Sequence, residues 1–191
     1  MLVFHPGNLG MMQSDNILQS SLVNTPLGDM LAIADENALY FLEFTEHSNL
    51  KCKLERFTLL IKREVVLGHN NTISSIQEEL RLYFNGSLKE FKTPIRTLGT
   101  QFQKLVWLEL TRVLYGSTKG YKEQAKAISK PTASRAVANA NGANQMAIII
   151  PCHRIINSNG NIGGYSGGIA RKQWLLEHEK SSKLACFYAG Y

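Results

Sequence analysis

Three runs near the amino terminus carry their apolar positions in the manner of short strands: ILQSSLVNT, GDMLAIA and ALYFLEF. Pro26 and Gly28 lie between the first two, and Asp35, Glu36 and Asn37 between the last two, so the trio predicts an antiparallel meander. Lys51 to Leu67 shows no decisive period, and its structure stays open. The spacing then becomes helical. Ile73, Ile76, Leu80 and Tyr83 in TISSIQEELRLYFNG predict an amphipathic helix stopped by Gly86. KEFKTPIRTLG, residues 89–99, has no period and contains Pro94 and Gly99, which reads as a linker.

After it, Thr100 and Gln103 form a capping box, in which each side chain satisfies an otherwise unpaired amide of the first turn. Phe102, Val106, Leu110 and Val113 share a face of the helix that follows, with Gly116 as its stop. YKEQAKAI and TASRAVANAN, separated by SKP and closed by Gly142 just past the second helix, predict a helix-turn-helix. The apolar MAIII reads as strand-like support for the segment after it. A glycine-rich loop, NSNGNIGGYSGG, and a last helix, IARKQWLLEHE, with Ile169, Leu175 and Leu176 facing inward, complete the chain.

The expected fold class is α+β: a small amino-terminal domain over 1–92, with 1–15 a loose terminus, and a mostly helical carboxy-terminal domain over 93–191. At 191 residues and 44% hydrophobic the chain can build its own core. Cys52, Cys152 and Cys186 are odd in number and far apart, which suits a reducing compartment and argues against a disulfide framework. No stretch reaches the roughly 20 apolar residues of a membrane span. The expectation is a soluble, cytoplasmic monomer without membrane contact, nuclear if the source is eukaryotic. Charge separates the halves: residues 1–98 hold nine Lys/Arg against eleven Asp/Glu, whereas 99–191 hold twelve against four. The second half suits a polyanion.

Candidate chemistry centres on IIIPCHRII, residues 148–156. A lone cysteine is most often buried packing. Here Pro151 restrains the backbone before Cys152, and His153 and Arg154 after it supply positive surroundings that favour a thiolate. Neighbours on an extended segment point to opposite faces, so His153 assists Cys152 only if the chain turns or a water bridges them.

The residues Pro151 to Ile155, PCHRI, match the active-site signature of a known family. With GTQFQKLVW, YGSTKGY, SRAVANANGAN, GGYSGG and WLLEHE in order, the chain resembles the O6-alkylguanine-DNA alkyltransferases, or methylated-DNA–protein-cysteine methyltransferases. The resemblance is close over 99–179 and weaker through LYFNGSLKEF and TPLGDMLAIA. It implies a ribonuclease-H-like amino-terminal α/β domain and a winged-helix-like carboxy-terminal domain. It also implies irreversible, single-turnover transfer of the alkyl group from O6-alkylguanine in double-stranded DNA to Cys152, with O4-alkylthymine an open second substrate.

By the same resemblance His153 is the base, Glu179 its orienter, Asn144 the holder of the turn before the cysteine, and Tyr121 a donor to the guanine. Arg135 fills the gap left by the flipped nucleotide, Lys122, Lys130 and Ser158 contact the DNA backbone, and Tyr165, Ser166 and Ile155 form the substrate pocket. No cofactor is implied. Some members hold zinc in the first domain, but His5, His47, Cys52 and His69 lack ligand spacing, so no metal is expected. The family commonly has proline where Gln145 stands, glycine at Ala138, proline at Leu114 and leucine at Gln124, which bears on the Asn144 turn and on recognition-helix packing. Two other classes remain: a non-catalytic damage binder, whose family relatives lack the cysteine, and a thiol hydrolase that needs no DNA.

Overall fold

The structure, a computed structural model, describes residues 16–46 and 49–188, with side chains through Ser182. The loose terminus expected over 1–15, His5, His47 and the side chain of Cys186 lie outside the described residues. The meander is present: β1 (Ile17–Val23), β2 (Met30–Ala34) and β3 (Leu39–Phe44) pair antiparallel, with Ser20 opposite Ile33 and Ala32 opposite Leu42. The open segment resolves into α1 (Leu50–Ile61) and β4 (Glu64–Leu67), which returns parallel to β1 and gives the order β3-β2-β1-β4. Leu50, Leu54, Phe57 and Ile61 form the helical stripe of α1. The exposed Leu59 and Leu60 beside them blur that period in the sequence.

Both faces of the sheet are covered. Leu18, Ile33 and Phe41 meet Phe57 of α1 on one side, the two rings 5.4 Å apart. Met30, Ala32, Leu42 and Phe44 meet Ile73, Ile76 and Leu80 of α2 (Asn71–Phe84) on the other. Each fully buried Leu, Ile, Phe or Met among them contributes about 1.5–3 kcal/mol relative to exposure. Asn70 caps α2 by accepting from the Ile73 amide at 2.9 Å, and Gly86, with φ 82°, follows its end.

Residues 94–96 and 145–147 close the outer edge of β3: the Leu39 amide donates to Pro94, the Arg96 amide to Leu39, and the Leu42 amide to Gln145, each at 2.8 Å. The expected linker is therefore tied to the sheet, and one apolar cluster runs from Val23 through Trp107 to Leu175 across both domains.

In the mostly helical carboxy-terminal domain, α3 (Gln101–Leu110) carries the expected capping box. It stops at Leu110, so Gly116, with φ 66°, lies in the following loop and does not end the helix. α4 (Tyr121–Ala127) and α5 (Ser134–Gly142) form the helix-turn-helix. Gly142 is the last helical residue of α5, and Ala143 caps it at φ −85°, so no left-handed glycine stop is used. Only Met146 of MAIII is strand-like, in a parallel bridge with Leu42; residues 147–149 are turns, with Ile148 at φ 72°. The short β5 (Lys119–Gly120) pairs parallel with β6 (Ile155–Ile156). On α6 (Ile169–Tyr188) Leu175 is buried and Leu176 half-buried, but Ile169 is 60% exposed and Lys172 takes the inward position. Among the described residues no helix is long and apolar enough to cross a membrane.

Candidate active site

Pro151 stands at φ −82°, ψ 62°, and the next three residues, Cys152 to Arg154, make a single 3₁₀ turn. At three residues per turn, successive side chains leave the axis about 120° apart. The turn therefore sends Cys152 toward a cavity and His153 toward α6.

Asn144 holds this turn. Its amide nitrogen donates to the carbonyls of Met146 at 3.3 Å and Ile150 at 2.9 Å and to Cys152 Sγ at 3.3 Å, while its oxygen accepts from the Met146 amide at 3.0 Å. A β-branched residue at positive φ costs about 1–3 kcal/mol, and the Asn144 contacts on both sides of Ile148 offset it. Gln145 stands where the family commonly has proline, and its carbonyl accepts from the Leu42 amide at 2.8 Å.

Behind the thiol, His153 and Glu179 are fully buried, with Nε2 2.8 Å from Oε1. Arg154 donates to both carboxylate oxygens at 2.9 and 3.0 Å, Tyr83 Oη donates at 2.8 Å and the Gly116 amide at 3.0 Å. Burial alone would raise the Glu179 pKa, but His153 and Arg154 outweigh it and hold the carboxyl well below the usual range. An ionised Glu179 accepts, so His153 carries its proton on Nε2 and leaves Nδ1 as the basic nitrogen.

Burial pushes the Cys152 thiol pKa up, opposed by the Asn144 hydrogen bond and the charges of Lys53 and Lys172. Burial pushes the His153 imidazole down, and Glu179 only partly restores it. The sequence expectation that His153 and Arg154 generate a thiolate is thus corrected: Arg154 spends its charge on Glu179, and the resting pair is neutral thiol and neutral imidazole.

Cys152 forms part of a cavity of about 680 Å³ whose wall also includes Tyr121, Arg135, Asn157, Tyr165 and Ser166. Arg135 is exposed on α5 at the cavity, and a neighbouring hollow brings Lys122 and Ser158 beside Tyr121. Lys130 is exposed between α4 and α5 and lines neither. Ile155, expected in the pocket wall, is instead buried in the core through β6, where its backbone pairs with Lys119. Burial raises the pKa values of Tyr121 and Tyr165, with Cys152 adding to both shifts, so both are neutral donors at neutral pH. Trp107 anchors α5 by donating to the Ala140 carbonyl at 2.8 Å. Gln124 and Asn141 exchange amide hydrogen bonds at 2.8 and 3.2 Å between α4 and α5.

As members of the site, the sequence reading passes over Lys53, Glu43, Lys172 and Tyr83, the last of which it places only on the apolar face of a helix. Lys172 and Leu175 sit at helical spacing with Glu179, a signal present in the sequence; Lys53 and Glu43 come from elements far from the signature and carry none. Among the described residues no group of three or more His, Cys, Asp or Glu side chains is placed to hold a metal.

Residues 18–97 match the 6-O-methylguanine DNA methyltransferase ribonuclease-like domain, and 101–181 the DNA-binding domain of the same name. A methylated-DNA–protein-cysteine methyltransferase of Methanosarcina acetivorans is 38% identical over 84% of this chain and 97% of its own length. One of Mycobacterium tuberculosis is 49% identical over 56% of this chain and 66% of its own. A crystal structure of M. tuberculosis OGT in complex with DNA superposes with a TM-score of 0.73 at 36% identity, covering 87% of this chain and 94% of that one.

Proposed function

The chain belongs to the 6-O-methylguanine DNA methyltransferase family, and on that premise we propose that it repairs O6-alkylguanine in duplex DNA by moving the alkyl group onto its own Cys152. It is a DNA-repair methyltransferase with DNA as its partner. The observation that carries the specific reading is the placing of Cys152 Sγ, bonded to Asn144, in a cavity with the buried His153–Glu179 pair behind it.

The alkylated base is flipped out of the stack into the cavity, at a cost of a few kcal/mol, and Arg135 occupies the space it leaves. α5 carries Ala136 and Ala138 next to Arg135, small side chains that let the helix backbone approach the minor groove. Lys122, Lys130 and Ser158 contact the phosphate backbone, while Tyr165 and Ser166 wall the pocket.

The thiol proton passes through a bridging water to His153 Nδ1, with Glu179 stabilising the imidazolium. The sulfur then attacks the alkyl carbon, and the carbon–oxygen bond breaks with its electron pair going to the guanine oxygen. Tyr121 donates to a ring nitrogen of the base as negative charge develops. Return of the proton from His153 leaves neutral guanine, and the net result is alkyl on sulfur and proton on the base. A thioether has no good leaving group, so each molecule acts once. O4-alkylthymine presents the same alkyl–oxygen–ring arrangement and is the second substrate of this reading.

Cys152→Ala tests it. Transfer from O6-methylguanine DNA is abolished while DNA affinity is kept; unchanged transfer by the variant contradicts the assignment.

A further inference from the structure

The amino-terminal domain reaches the acceptor site through one largely buried ammonium, that of Lys53, whose side chain is 10% exposed. Lys53 on α1 pairs with Glu43, a carboxylate at the penultimate position of the fully buried strand β3. The same nitrogen donates to the Asn144 carbonyl at 2.7 Å and to Ser166 Oγ at 3.4 Å. Asn144 and Ser166 belong to the two segments that flank Cys152, the turn that bonds its sulfur and the glycine-rich loop beside the cavity. A buried ion pair is a poor source of stability compared with apolar packing of the same shape, so its presence here calls for a role in geometry or charge.

We propose that Lys53, pinned by Glu43, is a positioning residue for alkyl transfer, joining the Asn144 turn to the Ser166 loop and placing a positive charge behind the Cys152 sulfur. The proposal deepens the alkyl-transfer reading and rests on it for its function. Lys53 and Lys172 favour the thiolate and Glu43 disfavours it, so the two members of the pair act on Cys152 with opposite sign. The other titratable groups around the sulfur are His153 on its own turn, Tyr121 on α4 and Tyr165 in the loop; of these only Tyr165 also feels Glu43, whose charge raises its pKa further above the range of the test, so it stays neutral there in the parent.

The test measures modification of Cys152 by iodoacetamide across about pH 6 to 10, in the full chain, by mass spectrometry of the Cys152 peptide. Lys53→Met should slow the reaction roughly tenfold near neutral pH and move its profile to higher pH. Lys53→Arg restores part of the rate by keeping the charge. Glu43→Gln, which keeps shape and a hydrogen-bond acceptor, should move the profile to lower pH, and it carries the test alone if Lys53→Met does not fold. A general loosening of the fold would not give shifts of opposite sign. A Lys53→Met profile that coincides with the parent's overturns the proposal, and so does a Glu43→Gln profile that stays in place or moves to higher pH. Iodoacetamide needs neither guanine nor DNA. A parent chain that takes no methyl from DNA would therefore sink the repair reading and leave this result standing, while coincident profiles in a repair-competent chain sink the Lys53 role alone.

Discussion

His153 and Glu179 share a 2.8 Å hydrogen bond at a point where both side chains are fully excluded from solvent. The same carboxylate also takes Arg154, Tyr83 and the Gly116 amide, so one residue of α6 joins the base, the signature arginine and the amino-terminal domain. Glu179→Gln keeps the shape but removes the charge that fixes the imidazole tautomer. Alkyl transfer should fall by roughly 10²- to 10⁴-fold, by analogy with the loss of the orienting acid in a catalytic triad. Single-turnover rates check this, and a loss below about threefold would show that Glu179 does not orient His153.

The same residue controls acid stability. Its folded pKa lies below its ordinary value of 4.5. The stability it contributes is therefore fully present above about pH 4.5 and is lost as pH falls toward the folded value. Melting temperature against pH should drop on the acid side of that value in the parent and flatten there in Glu179→Gln. The variant also starts lower, by roughly 3–5 kcal/mol, because Arg154 is left buried without a full counter-charge.

A neutral thiol beside a neutral imidazole fixes the pH dependence of transfer. The His153 pKa lies below its ordinary 6.5, so the base is unprotonated at neutral pH and is lost only as pH falls through that lowered value. The rate should be level near pH 7 and decline in acid with a midpoint below 6.5. A midpoint above that value would mean that the imidazole is held charged in the resting protein.

How much of this was legible in the sequence depends on distance along the chain. The meander, the capping box of α3 and the helix-turn-helix follow from local period and turn chemistry, and each is present. Cys152, His153 and Glu179 were reachable through the ordered matches to a family. The Gly116 and Gly142 stops failed because the cap residues Thr111 and Ala143 close each helix with backbone bonds to its last turn, without a left-handed glycine. MAIII is strand-like only at Met146, because the Asn144 bonds to Met146 and Ile150 draw the rest into turns, and an apolar run of that length fits either. Lys53 and Glu43 could not have been paired from the sequence: they meet because α1 packs across β3, a tertiary fact with no local signal.

Gln124 stands where the family commonly has leucine, and Asn141 answers it with a reciprocal amide pair. Gln124→Leu should cost about 1–3 kcal/mol, since it leaves the buried Asn141 amide unpaired. Gln124→Leu with Asn141→Leu should cost less than the sum of the single changes. Denaturant unfolding of the four chains of this cycle measures the coupling, and additive costs would mean that the pair contributes nothing jointly.

Arg135 is exposed at the cavity and makes no part of the His153–Glu179 network, so it should matter for duplex DNA and not for the chemistry. Arg135→Ala should slow repair of a duplex by about tenfold or more, on the scale of unstacking a base, while reaction with free O6-benzylguanine stays near the parent rate. Equal losses on both substrates would contradict its place in flipping.

The central claim is that the alkyl group ends on Cys152 and stays there. Peptide mass spectrometry after incubation with excess O6-methylguanine DNA tests it most directly. One methyl group per protein molecule, confined to the peptide carrying Cys152, is the predicted result. Methyl on another residue, or more guanine repaired than protein supplied, would contradict it.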